Sequence, residues 1–280
     1  MKLKQYVQNL KSELLQVFDE REAENHLSIL LQHFFKLSRV DRVLKAESEV
    51  DALKVSEVEK AVEQLREQKP IDYVLKETIF WGFPFYVDEN VLIPRAETEE
   101  LVMLVLENEK ELDISILDIG TGSGCIPVAL GMERDYRQID ACDVSLEAIE
   151  VAKKNAKKHK VKVNFYELDI LKSLPQEPFD VVVSNPPYVL EEEIESLQKR
   201  VKEYEPIIAL TPFGDPLTFY KRMLDEVEHL LKKGGRFYWE IHEDLGLEVV
   251  ELFKNKPFDQ IELIEDIYGR NRMVKARWLG

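Results

Sequence analysis

The sequence predicts an α/β protein in two parts, a helical N-terminal domain and a larger domain built around a mainly parallel sheet. Beyond residue 96, short apolar runs typical of strands alternate with helical patterns of about 10 to 15 residues, as in consecutive βαβ units. One of these runs leads through a glycine-rich turn directly into a helix. The first 70 or so residues show only helical periodicity. We therefore expect domains at residues 1–72 and 96–280.

Helical periodicity predicts a small bundle in the first domain. Apolar residues recur every three or four positions over residues 6–18 and 27–35. A later helix is predicted from a capping box of Ser56 and Glu59 and should end before Pro70. Because the domain carries no recognisable catalytic motif, we expect it to recognise the substrate.

Two hairpins are predicted outside the alternating region. Residues 73–95 contain β-like runs at 79–87 and 91–93 around Asp88-Glu89-Asn90, so we expect a β-hairpin to connect the domains. Residues 261–267 and 273–278 flank Tyr268-Gly269-Arg270-Asn271 and predict a terminal hairpin.

Composition and charge limit the classes of partner. The 280 residues are 45% hydrophobic and carry a formal net charge of −16. A chain this acidic repels a polyanion unless its basic residues gather on one face, so we expect a protein substrate and no direct nucleic-acid binding. No apolar run approaches the roughly 18 residues of a membrane span, and the N-terminus lacks the apolar core of a signal peptide. The expected location is cytoplasmic, without membrane contact.

Cysteines and histidines predict neither a disulfide nor a metal site. Cys125 and Cys142 fall in predicted buried segments, where free thiols in a reducing compartment are expected. The five histidines are scattered without the paired spacing of metal ligands.

A tetrapeptide at residues 185–188, Asn-Pro-Pro-Tyr, follows an apolar run and predicts methylation of a planar nitrogen. Such a nitrogen shares its lone pair with a π system and must be held and reoriented before it can react. The Asn185 side-chain oxygen and the Pro186 carbonyl can accept its two N–H groups. Pro187 stiffens the backbone, and the Tyr188 ring offers a face for stacking. The alternative is a plain strand followed by a proline turn.

The glycine-rich turn predicts a site for a cationic nucleoside. Residues 117–124 read Leu-Asp-Ile-Gly-Thr-Gly-Ser-Gly between a predicted strand and a helix start. Such turns also occur in nicotinamide-binding proteins, but Asp118 stands where it would repel a phosphate. The candidate cofactor-binding residues of this turn are Gly120, Thr121, Gly122, Ser123 and Gly124.

Acidic residues end the next two predicted strands. Asp143 follows the glycines by about 20 positions, where a carboxylate accepts from ribose hydroxyls in dinucleotide folds. Asp169 is a candidate acceptor for an adenine amino group, with Ile170 packing beside the ring. Either acid alone would also suit a helix cap. With the glycine turn and the tetrapeptide, they predict S-adenosylmethionine as the cofactor.

These segments together resemble the HemK/PrmC family, the N5-glutamine methyltransferases that modify peptide chain release factors. The resemblance extends from about residue 70 to the C-terminus. Its most specific parts are Phe80-Trp81-Gly82, Leu92-Ile93-Pro94-Arg95, Glu97-Thr98-Glu99, the glycine turn, the tetrapeptide at 185–188 and Tyr204-Glu205-Pro206.

The resemblance implies a fold, a reaction and roles for residues. The fold is the seven-stranded Rossmann-like sheet of class I methyltransferases. The reaction transfers a methyl group from S-adenosylmethionine to the glutamine of the Gly-Gly-Gln loop of class 1 release factors. Asn185 and Pro186 would hold the glutamine amide, Tyr188 would stack on it, and Asp143 and the glycine turn would hold the cofactor. Arg95 would help close the site, and we count it and Asn185 among the cofactor-binding residues.

Two other functions remain open at the level of sequence. A DNA or RNA adenine N6-methyltransferase would present the same flat nitrogen to the tetrapeptide, but it must flip a base and grip a polyanion. The acidic charge and the lack of a basic recognition domain count against it. A noncatalytic partner-binding protein with a retained cofactor fold is disfavoured by the intact Asn185 and Tyr188.

Overall fold

The chain divides into two units near residue 76. The structure, a computed structural model, describes residues 1–280, and its units are Met1–Lys76 and Glu77–Gly280. None of its helices combines the length and the apolar character that crossing a membrane requires.

The first unit is a helical bundle, as its periodicity predicts. Its helices are α1 (Leu3–Leu14), α2 (Glu20–Phe35), α3 (Arg39–Leu44), α4 (Ala52–Arg66) and α5 (Ile71–Leu75). Residues recurring at helical spacing in α1, α2 and α4 form its buried core, including Leu10, Leu27 and Val62. The predicted capping box is wrong. Asp51 caps α4 by accepting from the Leu53 N–H at 2.9 Å, and Ser56 lies inside the helix.

The second unit contains a sheet of seven strands. They are β3 (Ser115–Ile119), β4 (Gln138–Asp143), β5 (Asn164–Glu167), β6 (Phe179–Ser184), β7 (Leu231–Glu240), β8 (Phe258–Glu265) and β9 (Asn271–Trp278). Their order in the sheet is β5-β4-β3-β6-β7-β9-β8. All neighbours pair in parallel except β9, which runs antiparallel to β7 and β8 in the predicted terminal hairpin.

Helices cover both faces of this sheet. Because side chains alternate along a strand, Ile116 and Val181 face one layer while Leu117 and Val182 face the other. The first layer contains α6 to α8 and the second contains α11 to α13. The helices of this unit are α6 (Ala96–Asn108), α7 (Cys125–Glu133), α8 (Leu146–His159), α9 (Glu191–Ile194), α10 (Lys199–Tyr204), α11 (Thr218–Asp225), α12 (Val227–Leu230) and α13 (Gly246–Glu251).

The connecting hairpin is shorter than predicted and turns earlier. Its strands are β1 (Thr78–Phe80) and β2 (Phe83–Phe85), and both belong to the second unit. The turn residues Trp81 and Gly82 both have positive φ, as a two-residue hairpin turn of this hand requires. Tryptophan rarely adopts this conformation, so the sequence does not mark the turn. Here the Trp81 N–H donates to Glu99 of α6 at 2.6 Å.

The second predicted strand of that hairpin does not form. Residues 91–93 lie in a loop that follows a turn in which the Val91 N–H donates to the Asp88 carbonyl. Val91 and Ile93 are nevertheless buried, which explains their strand-like apolar pattern. This loop reaches the pocket described next.

Candidate active site

A pocket of about 350 Å³ lies at the carboxyl ends of β3, β4 and β6, where open α/β sheets bind their ligands. Most of the residues expected at the site line it. They are Arg95, Gly120, Thr121, Gly122, Ser123, Asp143, Asp169, Ile170, Asn185, Pro186 and Pro187. Gly124 and Tyr188 are not among its lining residues.

The glycine turn leaves room for a ligand against the backbone. Gly120 and Gly122 have φ of 75° and 53°, which favour glycine. A Cβ placed on either residue would meet no atom within 4 Å. The turn is anchored because the Gly122 N–H donates to Asp143 at 2.8 Å. These glycines therefore form an open and fixed cradle.

Gly124 has a packing role instead of the expected place at the pocket. It lies at the N-terminus of α7 with φ 75°. A Cβ here would lie 2.9 Å from the Cβ of Ala152 on α8. Glycine is needed at this position so that α7 and α8 can approach each other closely.

Buried polar atoms without partners surround the cradle. Both carboxylate oxygens of Asp118, the Thr121 hydroxyl and the Ser123 hydroxyl lack a hydrogen-bond partner within the protein. Burial raises the pKa of Asp118 to about 7, the nearby Thr121 hydroxyl opposes the rise, and the Asp143 carboxylate adds to it. Unsatisfied groups of this kind are costly, so the clustering of these hydroxyls fits a polar ligand, while Asp118 lies buried behind the turn and does not line the pocket.

The two acids at the ends of β4 and β5 keep capacity for a ligand. The oxygens of Asp143 accept from the N–H groups of Gly122 and Ser145, and burial raises the pKa of this carboxyl. Asp169 accepts from the Leu171 N–H and pairs with Lys172 at 2.7 Å, which lowers its pKa. Each carboxylate oxygen has two acceptor sites, so these contacts leave further sites for hydroxyl or amino donors.

Asn185 is held by a side chain that lies far away in sequence. Its Nδ2 donates to the Thr98 hydroxyl at 3.1 Å, and that hydroxyl donates to Glu240 at 2.7 Å. The amide oxygen Oδ1 of Asn185 therefore stays available to a donor in the pocket. At the end of the same strand, the Ser184 hydroxyl ties β6 to β3 by donating to the Ile119 carbonyl at 2.7 Å.

Tyr188 does not present its ring to the pocket as expected. Its hydroxyl donates to Glu240 at 2.8 Å, and its ring makes an edge contact with His242. Burial raises the pKa of Tyr188 well above its ordinary value. The two prolines turn the chain after Asn185, and the hydrogen bond to Glu240 then draws the tyrosine away from the pocket.

Arg95 joins two segments beside the pocket. Its Nη2 lies 2.7 and 2.9 Å from the two oxygens of Glu205, whose side chain is buried. Glu205 also accepts from the Ile93 N–H at 3.4 Å. The pair ties the loop before α6 to the segment after α10 and balances the arginine charge.

One histidine cluster lies near Tyr188. Ligand atoms of Glu193, His242 and Asp244 are within 4.8 Å of one another. Both ring nitrogens of His242 already have partners, Glu193 at 3.0 Å and the Asp244 N–H at 3.2 Å.

The two cysteines are free and buried.

Thr98 and Glu240 are functional candidates that reasoning from chemical motifs did not assign. Thr98 belongs to Glu97-Thr98-Glu99, one of the segments that carry the family resemblance, and nothing in its local sequence indicates a role. Glu240 ends β7 as an acid at the carboxyl edge of the sheet, which is the signal that identified Asp143. Its significance depends on contacts across the fold that the sequence does not display.

Comparisons with known proteins agree with this architecture. The model of the PrmC N-terminal domain matches residues 7–75, and the model of the methyltransferase small domain matches residues 97–201. A release factor glutamine methyltransferase of Flavobacterium psychrophilum is 42% identical, covering 99% of this chain and 100% of the relative. The chain belongs to the release factor glutamine methyltransferase family.

Membership in this family confirms the resemblance read from the sequence and makes the chain a methyltransferase. A relative named in the same way from Streptococcus pneumoniae is 37% identical over 98% of both chains. A methyltransferase structure from Pyrococcus furiosus has a TM-score of 0.52 at 20% identity, covering 72% of this chain and 91% of that one. That likeness supports the predicted Rossmann-like methyltransferase fold.

Replacing Asp118 with Asn should stabilise the ligand-free protein at high pH. Because burial raises the folded-state pKa to about 7 from an ordinary 3.8, the folded protein retains a proton that the unfolded chain has lost between these values. The free energy of unfolding therefore falls by at most about 4 kcal/mol as pH rises from 3.8 to about 7. The Asn variant has no proton to lose at this position, so its free energy of unfolding should not fall for this reason. Urea denaturation at pH 5 and pH 8 would measure it.

A matched control is Asp140→Asn. Asp140 is also buried but accepts hydrogen bonds from Gln138 and Asn164, so its replacement should bring no gain at pH 8. An equal stability difference between parent and Asp118→Asn at both pH values would contradict the interpretation.

Proposed function

We propose that this protein transfers a methyl group from S-adenosylmethionine to the side-chain amide nitrogen, N5, of the glutamine in the Gly-Gly-Gln loop of class 1 peptide chain release factors. The observation that carries the proposal is the fixed Asn185 amide, whose oxygen is available beside the glycine cradle. The names of the relatives support the same substrate.

The residues of the pocket suit S-adenosylmethionine. The open cradle at Gly120 and Gly122 fits a ligand held against the backbone, and the unpartnered hydroxyls of Thr121 and Ser123 line the same pocket. Asp143 would accept from the ribose hydroxyls, while Asp169 and Ile170 would receive the adenine. When bound, the cofactor supplies a methyl group that its sulfonium already activates.

The task of the protein is then to position and polarise the amide. Asn185 Oδ1 and the Pro186 carbonyl would each accept one N–H of the glutamine side chain. As the new C–N bond forms, positive charge grows on the amide nitrogen, and both acceptors stabilise that charge more than they stabilise the neutral amide. Holding the nitrogen in line at about 3 to 3.5 Å from the methyl carbon supplies much of the rate. The C–N bond would form as the C–S bond of the donor breaks, and the nitrogen would then lose its proton to solvent.

Tyr188 would contribute to this mechanism differently from the stacking role first expected. Its hydroxyl holds Glu240, and its position directly after the two prolines fixes the end of the tetrapeptide. Pro187 lines the pocket and restricts the backbone at the preceding Pro186 carbonyl. These contacts support a rigid set of acceptors.

Partner selection by the helical unit is part of the proposal. In α3, three apolar side chains at helical spacing are exposed, and we call them the α3 patch. They are Val40, Val43 and Leu44, at 67%, 75% and 78% exposure. Apolar side chains so exposed and so close in sequence suit contact with a protein surface. We propose that these side chains dock the body of the release factor. We also propose that the enzyme acts in the cytoplasm.

Replacing Asp143 with Ala should weaken cofactor binding. The ribose hydroxyls would lose their acceptor in a partly buried place, at a cost of about 1 to 3 kcal/mol. Calorimetric titration with S-adenosylmethionine measures the change. An unaltered Kd would remove Asp143 from the cofactor site.

Replacing Asn185 should separate binding from chemistry. Asn185→Ala removes an acceptor that acts mainly in the transition state, so kcat should fall by about 100-fold or more. Cofactor affinity should change far less, because Asn185 is only one of several residues that line the cofactor pocket. Asn185→Asp keeps an acceptor and should retain more activity than the Ala variant. Methylation by Asn185→Ala at the parent rate would refute the proposed role of the tetrapeptide.

Intact release factor should be a far better substrate than a peptide with the same loop, because remote docking helps to orient the amide. The double variant Val43→Ser, Leu44→Ser should lower kcat/KM for the factor about tenfold and leave the peptide value unchanged. Leu112→Ser is the control, since Leu112 is exposed in the loop before β3, at the opposite edge of the sheet from the pocket.

The same assay tests the adenine alternative. Mass spectrometry of the methylated factor would locate the group on the loop glutamine. Equal kcat/KM for factor and peptide would exclude remote docking, and efficient methylation of adenine in DNA with no transfer to the factor would overturn the proposed substrate.

A further inference from the structure

A chain of hydrogen bonds leads from a buried acid to the pocket. Glu240 Oε2 accepts from the Thr98 hydroxyl at 2.7 Å, and the Thr98 hydroxyl accepts from Asn185 Nδ2 at 3.1 Å. We propose that Glu240 is a positioning residue which, through Thr98, fixes the side-chain amide of Asn185 with its oxygen toward the substrate. The inference rests on the proposed function and adds residues to its machinery.

The direction of each bond follows from the chemistry of the acid. Burial raises the pKa of Glu240, while the hydroxyls of Thr98 and Tyr188 oppose that rise by donating to its two oxygens. The ionised carboxylate only accepts, so in that state the single hydroxyl proton of Thr98 points to Glu240. The lone pairs of that hydroxyl then face Asn185 and can receive only a donor. Asn185 must therefore turn its NH₂ group to Thr98. The oxygen of the planar Asn185 amide therefore points away from Thr98.

Glu240 is held so that it cannot turn away. Its Oε1 accepts from the Tyr188 hydroxyl at 2.8 Å, and its backbone carbonyl accepts from the Tyr220 hydroxyl at 2.8 Å. The residue is 1% exposed and is not among those lining the pocket. Any effect of Glu240 on turnover must consequently pass through the residues it contacts.

The orientation of the Asn185 amide determines whether Asn185 can bind the target nitrogen. With oxygen toward the pocket, Asn185 accepts an N–H of the target nitrogen. With the amide turned over, an NH₂ group would face the NH₂ group of the substrate, and two donors cannot pair. If Asn185 moved freely, the Thr98 hydroxyl would also lose its donor whenever the NH₂ group of Asn185 pointed elsewhere.

The first measurement uses the free enzyme and needs no methyl transfer. Protein labelled with ¹⁵N only in asparagine gives side-chain NH₂ signals, and loss of one signal in Asn185→Asp identifies Asn185. The Nδ2 proton of Asn185 that bonds to the Thr98 hydroxyl is protected from exchange with solvent. We expect this proton to exchange about tenfold faster in Thr98→Val and at the parent rate in Thr98→Ser. Unchanged exchange in Thr98→Val would overturn the proposed hydrogen-bond chain.

The second measurement is kinetic and uses intact release factor. Thr98→Val should lower kcat about 5- to 100-fold with KM for the factor and Kd for S-adenosylmethionine unchanged, and Thr98→Ser should restore turnover. A raised KM with normal kcat would show instead that Thr98 binds the substrate directly. Thr78→Val is the matched control, because Thr78 is buried in β1 and is not among the residues that line the pocket.

The isosteric variant Glu240→Gln tests the acid itself. A glutamine accepts with one end and donates with the other. With its NH₂ group toward Thr98, the Thr98 hydroxyl would turn its proton to Asn185 and reverse that amide, so kcat should fall several-fold. The double variant with Thr98→Val should lose less than the product of the two single losses, because part of the effect of Glu240 passes through Thr98. Losses that simply multiply would overturn the inference.

The two kinds of failure are distinguishable. If the parent enzyme transfers no methyl group to any release factor, the proposed substrate is wrong, while the exchange measurement still decides the orientation of Asn185. If the parent enzyme is active and Thr98→Val is equally active, the function stands and the positioning role of Glu240 falls.

Discussion

Parallel pairing of β3 with both β4 and β6 is the constraint on which the site depends. The register places Ile119 beside Cys142 on one side and beside Ser184 on the other. The residues that follow these three positions are Gly120, Asp143 and Asn185, so they emerge together at one edge. Their separation in sequence disappears because parallel strands bring their carboxyl ends to the same place. The cofactor cradle and the amide acceptor are thus products of one hydrogen-bond register.

Features governed by local sequence could be predicted. The helical periodicity of the first unit, the strand-turn-helix at the glycines and the terminal hairpin are each determined within a few residues, and each forms as expected. The same holds for Asp143 and Asn185, because their places at strand ends follow from the alternation of strands and helices. Most of the residues expected to line a pocket do line one.

Features governed by distant contacts could not be predicted in this way. Tyr188 follows the prolines in sequence, yet its direction is set by Glu240, which lies 52 positions away. Gly124 looks like its neighbours in the turn, but its surroundings come from Ala152 on another helix. The hairpin turn was misplaced because Trp81 adopts a positive φ that tryptophan seldom takes and that a contact with Glu99 stabilises.

The first turn of α6 contacts both the end of β7 and the turn of the β1–β2 hairpin. Thr98 reaches the end of β7 through Glu240, while its neighbour Glu99 accepts from the hairpin turn at Trp81. Adjacent residues on a helix point in different directions, so one rigid turn connects a surface hairpin with the interior of the sheet. A substitution that shifts the hairpin turn would therefore also shift the helical turn that carries Thr98.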